Sequence, residues 1–326
     1  MEVTDRKRVY SRRCFFAVLF FLGLAALLTL VSFVFVPKDN TEEAGMEEVF
    51  ANGILGEPED TIDVLVAGDS YSYTSTIPPQ IWKETGITTY ASGTNDQSLD
   101  YTLVMLKRAF RTQNPKVVLL EASPICREIT PFGRLTAALA SVFPVFHYHD
   151  RWKSLRGEDF THRPEYTLTK DYKGYKYFTK IVPAPDTDNM VKTDEAEPIP
   201  ESSRYYMKKI LKFCQDHGAV LALMSAPNRT YWNYSRHNGI SALAQELGCD
   251  YIDTNLAEEE IGIDWQHDTC DGGDHLNHAG SVKATRYVTE YLTSLGILED
   301  HRGDPKYSHW DKALKKYEKQ VRKEDI

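Results

Sequence analysis

The chain has 326 residues, of which 42% are hydrophobic, 12% aromatic and 26% charged, with a net charge of -9. That is enough chain for one large domain or two modest ones and enough apolar material for a core, which argues against disorder; the acidic balance leaves no general basic surface for tracking nucleic-acid phosphates. Five cysteines without C-x-x-C spacing exclude a zinc ribbon and a disulfide-framed miniprotein.

Residues 1–13 form a basic segment: Arg6, Lys7, Arg8, Arg12 and Arg13 against Glu2 and Asp5, five minus two, or +3. The run from Cys14 to Val36, CFFAVLFFLGLAALLTLVSFVFV, contains no charge. Its length suffices for a helix crossing a hydrocarbon core of about 30 Å. It exceeds the apolar region of about 7–15 residues typical of a signal peptide and lacks an A-x-A-like site, so residues 14–36 are expected to be a transmembrane helix. The positive-inside bias puts the N-terminus in the cytoplasm and everything after about residue 37 outside, as a single-pass protein of the cell membrane. The rest of the chain then carries -9 minus 3, or -12.

Residues 37–60, rich in Glu, Asp, Gly and Pro, are expected to form a stalk. Beyond it, a domain over 61–300 begins with the β-branched run Ile62–Ala67, and Lys116–Leu120, Val220–Met224 and Tyr251–Asp253 follow as further buried parallel strands. Between them, Leu99, Leu103, Leu106 and Phe110 keep helical spacing behind Ser98 as N-cap. Tyr206, Ile210, Phe213 and Cys214 form a second helix ended by Gly218, and Ile240, Leu243, Ala244 and Leu247 a third ended by Gly248. Val282, Thr285, Val288, Leu292 and Leu295 mark a fourth. Such alternation predicts a doubly wound α/β sheet.

An insertion at about 130–200 breaks the alternation with an aromatic and histidine cluster and a Tyr/Lys-rich stretch at 171–180; it reads equally as a lid or substrate wall and as a folded decoration. At 301–326, Trp310, Leu314, Tyr317 and Val321 form the stripe of an amphipathic helix expected to pack on the domain.

Two segments carry chemistry. Gly68-Asp69-Ser70 directly follows a predicted strand, where doubly wound sheets place functional groups; Ser70 there is either a nucleophile or a helix cap. Asp271-Gly-Gly-Asp274-His275-Leu-Asn-His278-Ala-Gly280 precedes the last helix and offers a histidine with nearby carboxylates, the base and orienter that an activated hydroxyl needs. The rival reading of that segment is a metal site drawn from His267, Asp268, Cys270, Asp271, Asp274, His275 and His278, but no recognised ligand spacing is present. The serine reading is preferred, and no metal or cofactor is expected.

GDSYS at 68–72 after VLVA, ASGTNDQS at 91–98 and DGGDHLNHAG at 271–280, together with NPKVVLLEASP, resemble the SGNH/GDSL hydrolase superfamily in order over roughly residues 50–297, and are most similar to its membrane-anchored, DltD-like branch. The resemblance implies a three-layer α/β/α flavodoxin-like fold, with Ser70 as nucleophile, His275 as general base, and an oxyanion hole from the backbone N–H groups of Ser70 and Gly93 plus an asparagine. The sequence departs from the pattern twice. Glu121-Ala-Ser-Pro124 replaces the usual asparagine block, leaving Asn95 as substitute donor, and Gly272 stands where the family has its aspartate. Asp271 is therefore expected to orient His275, since an immediate neighbour seldom bends back onto the ring; Asp274 is the alternative. A missing oxyanion donor costs about 10²–10³ in rate, which a slow or specialised enzyme tolerates.

The expected function is a membrane-anchored extracytoplasmic serine O-acyltransferase or esterase acting, through an acyl-serine intermediate, on a bacterial cell-envelope polysaccharide or teichoic-acid-like polymer, with a membrane-bound O-acyltransferase as the partner the resemblance implies. Lys173, Lys176 and Lys180 are the basic residues available to an anionic polymer. The alternative is a non-catalytic scaffold or glycan-binding module, with Tyr148, Trp152 and Tyr175 stacking on sugars; metal-dependent hydrolysis is a third. Asn228 and Asn233 open N-x-S/T triplets that would accept glycans in a eukaryotic host.

Overall fold

The computed structural model describes residues 2–324, with side chains from residue 11 to residue 323. Arg6, Lys7 and Arg8, which carry much of the charge asymmetry, and residues 325–326 of the expected C-terminal helix lie outside those described side chains.

The chain opens with helix α1 (Glu2–Phe35) and the single turn α2 (Val49–Asn52), then β1 (Val64–Ala67), α3 (Ser70–Ser75), α4 (Pro78–Thr85), β2 (Thr89–Ala91), α5 (Leu99–Ala109) and β3 (Val117–Glu121). Next come α6 (Pro131–Val142), α7 (Glu201–Asp216), β4 (Val220–Ser225), α8 (Tyr234–Leu247) and β5 (Asp250–Asp253). The chain closes with α9 (Glu258–Ile261), α10 (His278–Ser294) and α11 (Ser308–Glu324). These elements fall into two units, one of residues 47–131 and 167–326, the other of residues 1–46 and 132–166.

The larger unit is built on a five-stranded parallel sheet in the order β2-β1-β3-β4-β5. That is the doubly wound, flavodoxin-like order, with its switch between β1 and β3. Because side chains alternate across a strand, Val64, Val66, Val117, Leu119, Ala222 and Met224 share one face, where they pack on Ile81 of α4 and on Val288 and Leu292 of α10. Leu65, Val118, Leu120 and Leu223 point to the opposite face and are equally buried. A strand buried on both faces must read as a continuous apolar run, and VLVA, VVLLE and VLALMS do. Each such side chain contributes about 1.5–3 kcal/mol on burial. The three-layer α/β/α arrangement is thus the one expected from the sequence.

The strand β2 was not legible: TYA is three residues long and pairs only with β1. Ser98 stands at the N-cap of α5, but makes no cap bond; its hydroxyl donates to Asp100 instead. The stripe of α11 packs on α4, with Trp310 stacked on Trp82 at 5.7 Å and Tyr317 against Ile77.

The segment 37–60, expected as a stalk, is corrected from residue 47 onward. Val49, Ala51, Ile54 and Leu55 are buried, the Tyr90 hydroxyl donates to the carbonyl of Phe50 at 2.7 Å, and Arg108 donates to the Asn52 side chain at 2.7 Å. Short apolar turns amid Glu, Gly and Pro gave too little periodicity to betray this. Lys173 is a second correction. Its ammonium is buried on both carboxylate oxygens of Glu57 at 2.8 Å and is no handle for a polymer. Tyr148 and Tyr175 are buried as well, which removes them as sugar platforms, while Trp152 is exposed.

In the smaller unit, α1 carries the long apolar stretch, Ser11–Phe35, long enough to cross a membrane. Arg151 organises the residues beyond it, donating to the Phe35 carbonyl at 2.6 Å and to Asp159 at 2.8 Å. The expected insertion therefore divides: residues 132–166 belong to this unit and 167–200 to the sheet unit.

Candidate active site

The end of β1 delivers the first candidate side chain. After Ala67 and Gly68, the Asp69 carboxylate accepts from the backbone N–H of Tyr71 at 3.3 Å and caps α3. Capping thus falls to Asp69, and Ser70, first residue of the helix, keeps its hydroxyl for another partner. The end of β2 comes close alongside: a Cβ on Gly93 would lie 1.9 Å from Ser72 Oγ and 2.7 Å from the Asp69 carbonyl, so only glycine allows this approach. Asn95 follows, its side-chain oxygen accepting from the Tyr73 hydroxyl, which leaves its amide nitrogen as the end with hydrogens to offer.

The second half arises from the loop ahead of α10. Thr269 and Leu276 form an antiparallel bridge, the Cys270 N–H donates to the His275 carbonyl at 3.0 Å, and the Gly273 N–H donates to Thr269 Oγ1 at 2.7 Å. Gly272 and Gly273, at φ of 87° and 98°, turn the chain tightly enough to bring Asp271 back to His275. Asn277 then caps α10.

The two halves meet. His275 Nε2 lies 2.7 Å from Ser70 Oγ, and His275 Nδ1 lies 2.6 Å from Asp271 Oδ2. Asp271 Oδ1 also accepts from the His275 backbone N–H at 2.7 Å, so this carboxylate holds both ring and main chain. Asp274 Oδ2 is farther from Nδ1, at 3.3 Å. Its Oδ1 accepts from Tyr71 Oη at 2.8 Å, Thr230 Oγ1 at 2.7 Å and Asn228 Nδ2 at 3.1 Å. Burial opposes its charge, but these bonds and the neighbouring His275 hold the Asp274 carboxyl below the usual carboxylate range. The Tyr71 ring stacks on the imidazole at 4.9 Å and 28°. Burial, together with Asp274, pushes the Tyr71 hydroxyl far up, so it is a neutral donor.

Asn228 was read only as a glycan acceptor, and the structure corrects this. It is buried, its amide nitrogen donates to Asp274, and its oxygen accepts from the backbone N–H groups of Thr230 and Trp232 at 3.0 and 3.1 Å, leaving no free end for a sugar. Asn233 caps α8.

Behind Ser70 lies a group the sequence reading did not find. Ser123 Oγ is 2.6 Å from Asp69 Oδ2 and 2.6 Å from Glu121 Oε2, while Arg127 Nη2 is 2.7 Å from Asp69 Oδ2. A hydroxyl has one hydrogen and cannot donate to two carboxylates at once, and the two carboxyls also hydrogen-bond each other, so the group holds a carboxyl proton. Glu121 is 1% exposed, and burial beside Asp69 pushes its carboxyl well above the usual range; it is the protonated one. Glu121-Ala-Ser-Pro124 therefore contributes Glu121 to a buried acid pair with Asp69 and offers no side-chain amide.

Among the described residues, Asp271, Asp274 and His275 alone bring metal-binding donor atoms within 4.8 Å of one another. The other residues of the metal reading point elsewhere: His267 bonds Asp264, Asp268 bonds Lys283, and His278 stacks on Tyr177. The donors that do converge are engaged with Ser70, Tyr71, Thr230 and Asn228. Burial, with Asp271 adding to it, raises the nearby Cys270 thiol to about 11, which keeps it a poor rival nucleophile.

Ser70, Asp271, Asp274 and His275 open on a cleft of about 810 Å³, walled by Tyr73, Asn95, Arg127, Phe178, Lys180 and Tyr231. Phe178 and Lys180 come from the insertion, whose second part thus supplies one wall.

No family model matches the chain, and no curated protein matches it. Solved structures similar to it include an acetyl xylan esterase, 12% identical over 72% of this chain and 100% of that one at a TM-score of 0.38. Another is a mutant acetyl-xylooligosaccharide esterase from Geobacillus Stearmophilus, 12% identical over 74% and 96% at 0.37. A third is a GDSL-like lipase from Bacteroides thetaiotaomicron VPI-5482, 9% identical over 71% and 88% at 0.36.

Proposed function

We propose that the chain is a membrane-anchored serine esterase or O-acyltransferase acting outside the cytoplasm on acyl groups of a cell-envelope polysaccharide or teichoic-acid-like polymer. The observation that carries this is the chain of contacts Ser70 Oγ, His275 Nε2, His275 Nδ1, Asp271 Oδ2, at 2.7 and 2.6 Å. In such a chain the hydroxyl gives its proton to Nε2 as Oγ bonds the acyl carbon, while Asp271 holds the Nδ1–H tautomer and stabilises the imidazolium. The leaving alkoxide takes the proton from Nε2. A second hydroxyl, from water or from an acceptor sugar, then attacks the acyl-serine with His275 again as base. Transfer and hydrolysis differ only in that acceptor.

The oxyanion is assigned to the backbone N–H groups of Ser70 and Gly93 and to the Asn95 amide. The aromatic and charged cleft wall fits a sugar ester better than a long acyl chain: Phe178 and Tyr231 offer ring faces, while Arg127 and Lys180 offer donors. The apolar length of α1 supports attachment to the membrane, and the basic residues ahead of it support an orientation with the sheet unit outside.

The test is labelling of the full chain with a fluorophosphonate, followed by intact mass. Wild type gains one adduct, while Ser70→Ala and His275→Ala lose labelling by at least about 10³-fold with unchanged melting temperature. Equal labelling of Ser70→Ala would defeat the assignment.

A further inference from the structure

Helix α6 is amphipathic, and its apolar stripe faces outward. Phe132, Leu135, Leu139 and Val142 recur at i, i+3, i+7 and i+10 and so lie along one side of the helix. In a helix that packs on its own domain such a stripe is the buried one. Here Phe132 is 75%, Leu135 57% and Val142 66% exposed, and no residue of α6 is buried. From Phe132 to Phe146 the only charged residue is Arg134. Water is a poor solvent for so continuous an apolar face, and faces of this kind mark contact with protein or lipid.

What covers it follows from its own unit. The turn after α6, Pro144–Phe146, is fixed to the last turns of α1, where the Val145 N–H donates to Ser32 Oγ at 3.2 Å. Arg151 ties the following turn to the Phe35 carbonyl at 2.6 Å. The end of α6 is thereby held at the level where the apolar stretch Ser11–Phe35 stops, which is where a spanning helix leaves the hydrocarbon. Trp152, in the same unit, is also exposed, and a Trp at that level is typical of the membrane interface.

We propose that α6 lies on the bilayer beside α1, with Phe132, Leu135 and Val142 inserted among the lipid chains, as a second membrane attachment of the small unit. This goes beyond the catalytic assignment and requires only that α1 span the membrane.

The test places single tryptophans in the full chain carrying Trp152→Phe; the remaining tryptophans, Trp82, Trp232, Trp265 and Trp310, are buried and give a constant background. Phe132→Trp and Leu135→Trp report the stripe, and Ser141→Trp the other side of the helix. Each is reconstituted in vesicles of phosphatidylcholine and of phosphatidylcholine brominated on its acyl chains. The stripe positions are expected to lose about twofold more emission to the brominated lipid than Ser141→Trp, as for a helix lying in the interface. Quenching of both stripe positions no greater than at Ser141→Trp overturns the proposal and gives the face to a protein partner or a second copy. Release of the chain from vesicles by alkaline carbonate overturns the anchor reading, and this proposal with it.

Discussion

The segment after β1 and the loop before α10 contribute Ser70 and His275 to one site, but they are held in different ways. Residues 68–76 leave a buried strand and enter a helix capped by Asp69, so backbone geometry fixes where Ser70 stands. Residues 269–276 leave no strand; one bridge, two glycines and a set of side-chain bonds hold the imidazole, and Asp271 is 42% exposed. The placement of Ser70 should therefore survive substitution of any one polar neighbour, while that of His275 should depend on the carboxylate at Nδ1.

The sharpest break of that contrast is Asp271→Asn against Asp274→Asn. Asp271→Asn removes the carboxylate charge and offers Nδ1 an amide N–H that favours the wrong tautomer, and is expected to slow fluorophosphonate labelling on the order of 10³–10⁴-fold. Asp274→Asn should slow it by roughly tenfold, about what one charge-assisted hydrogen bond is worth. If the order reverses, Asp274 is the orienting carboxylate and Asp271 a surface acid.

Behind Ser70, Glu121→Ala leaves Ser123 and Asp69 without their partner in a buried site and should cost about 1–3 kcal/mol in urea unfolding. Glu121→Gln retains a donor and an acceptor and should cost much less. It also carries a sign. Because the folded carboxyl titrates above its unfolded value, near 4.3 for Glu, the folded state binds the extra proton, and wild type loses stability as pH rises from that value through the folded one. Glu121→Gln should flatten that slope from mildly acid pH upward. An unchanged slope would place the shared proton elsewhere.

The smallest effect is expected from Tyr71→Phe, which keeps the ring stacked on His275 but removes the bond to Asp274. Roughly 0.5–1.5 kcal/mol of stability should be lost, with labelling slowed by only a few fold. Acid sensitivity should fall in the same variant. The depressed Asp274 carboxyl stabilises the fold above its unfolded value, near 3.9 for Asp, and that contribution is lost as pH falls through the folded value; without the Tyr71 bond the carboxyl is less depressed, so there is less stability to lose on acidification.

The sequence by itself determined the parallel sheet and its helices, because a strand buried on both faces and a helix with one apolar side each impose a period that needs no tertiary knowledge. It also singled out Ser70 and His275, since a small residue after a buried strand and a histidine among glycines and acids are local patterns. Part of what it missed was short or non-periodic: β2 is three residues long, and α2 is one turn in an acidic segment, whereas α6 has a regular apolar period and went unread inside the insertion. Only the tertiary structure decided that Asp271 rather than Asp274 sits at 2.6 Å from Nδ1, that Asn228 and Thr230 hold Asp274, and that Glu121 and Asp69 share one serine hydroxyl. Each of these joins residues far apart in the chain or turns on a difference of less than one ångström within a loop. Spacing along a sequence encodes which face a side chain takes, and it encodes neither the distance nor the hydrogen that two side chains compete for.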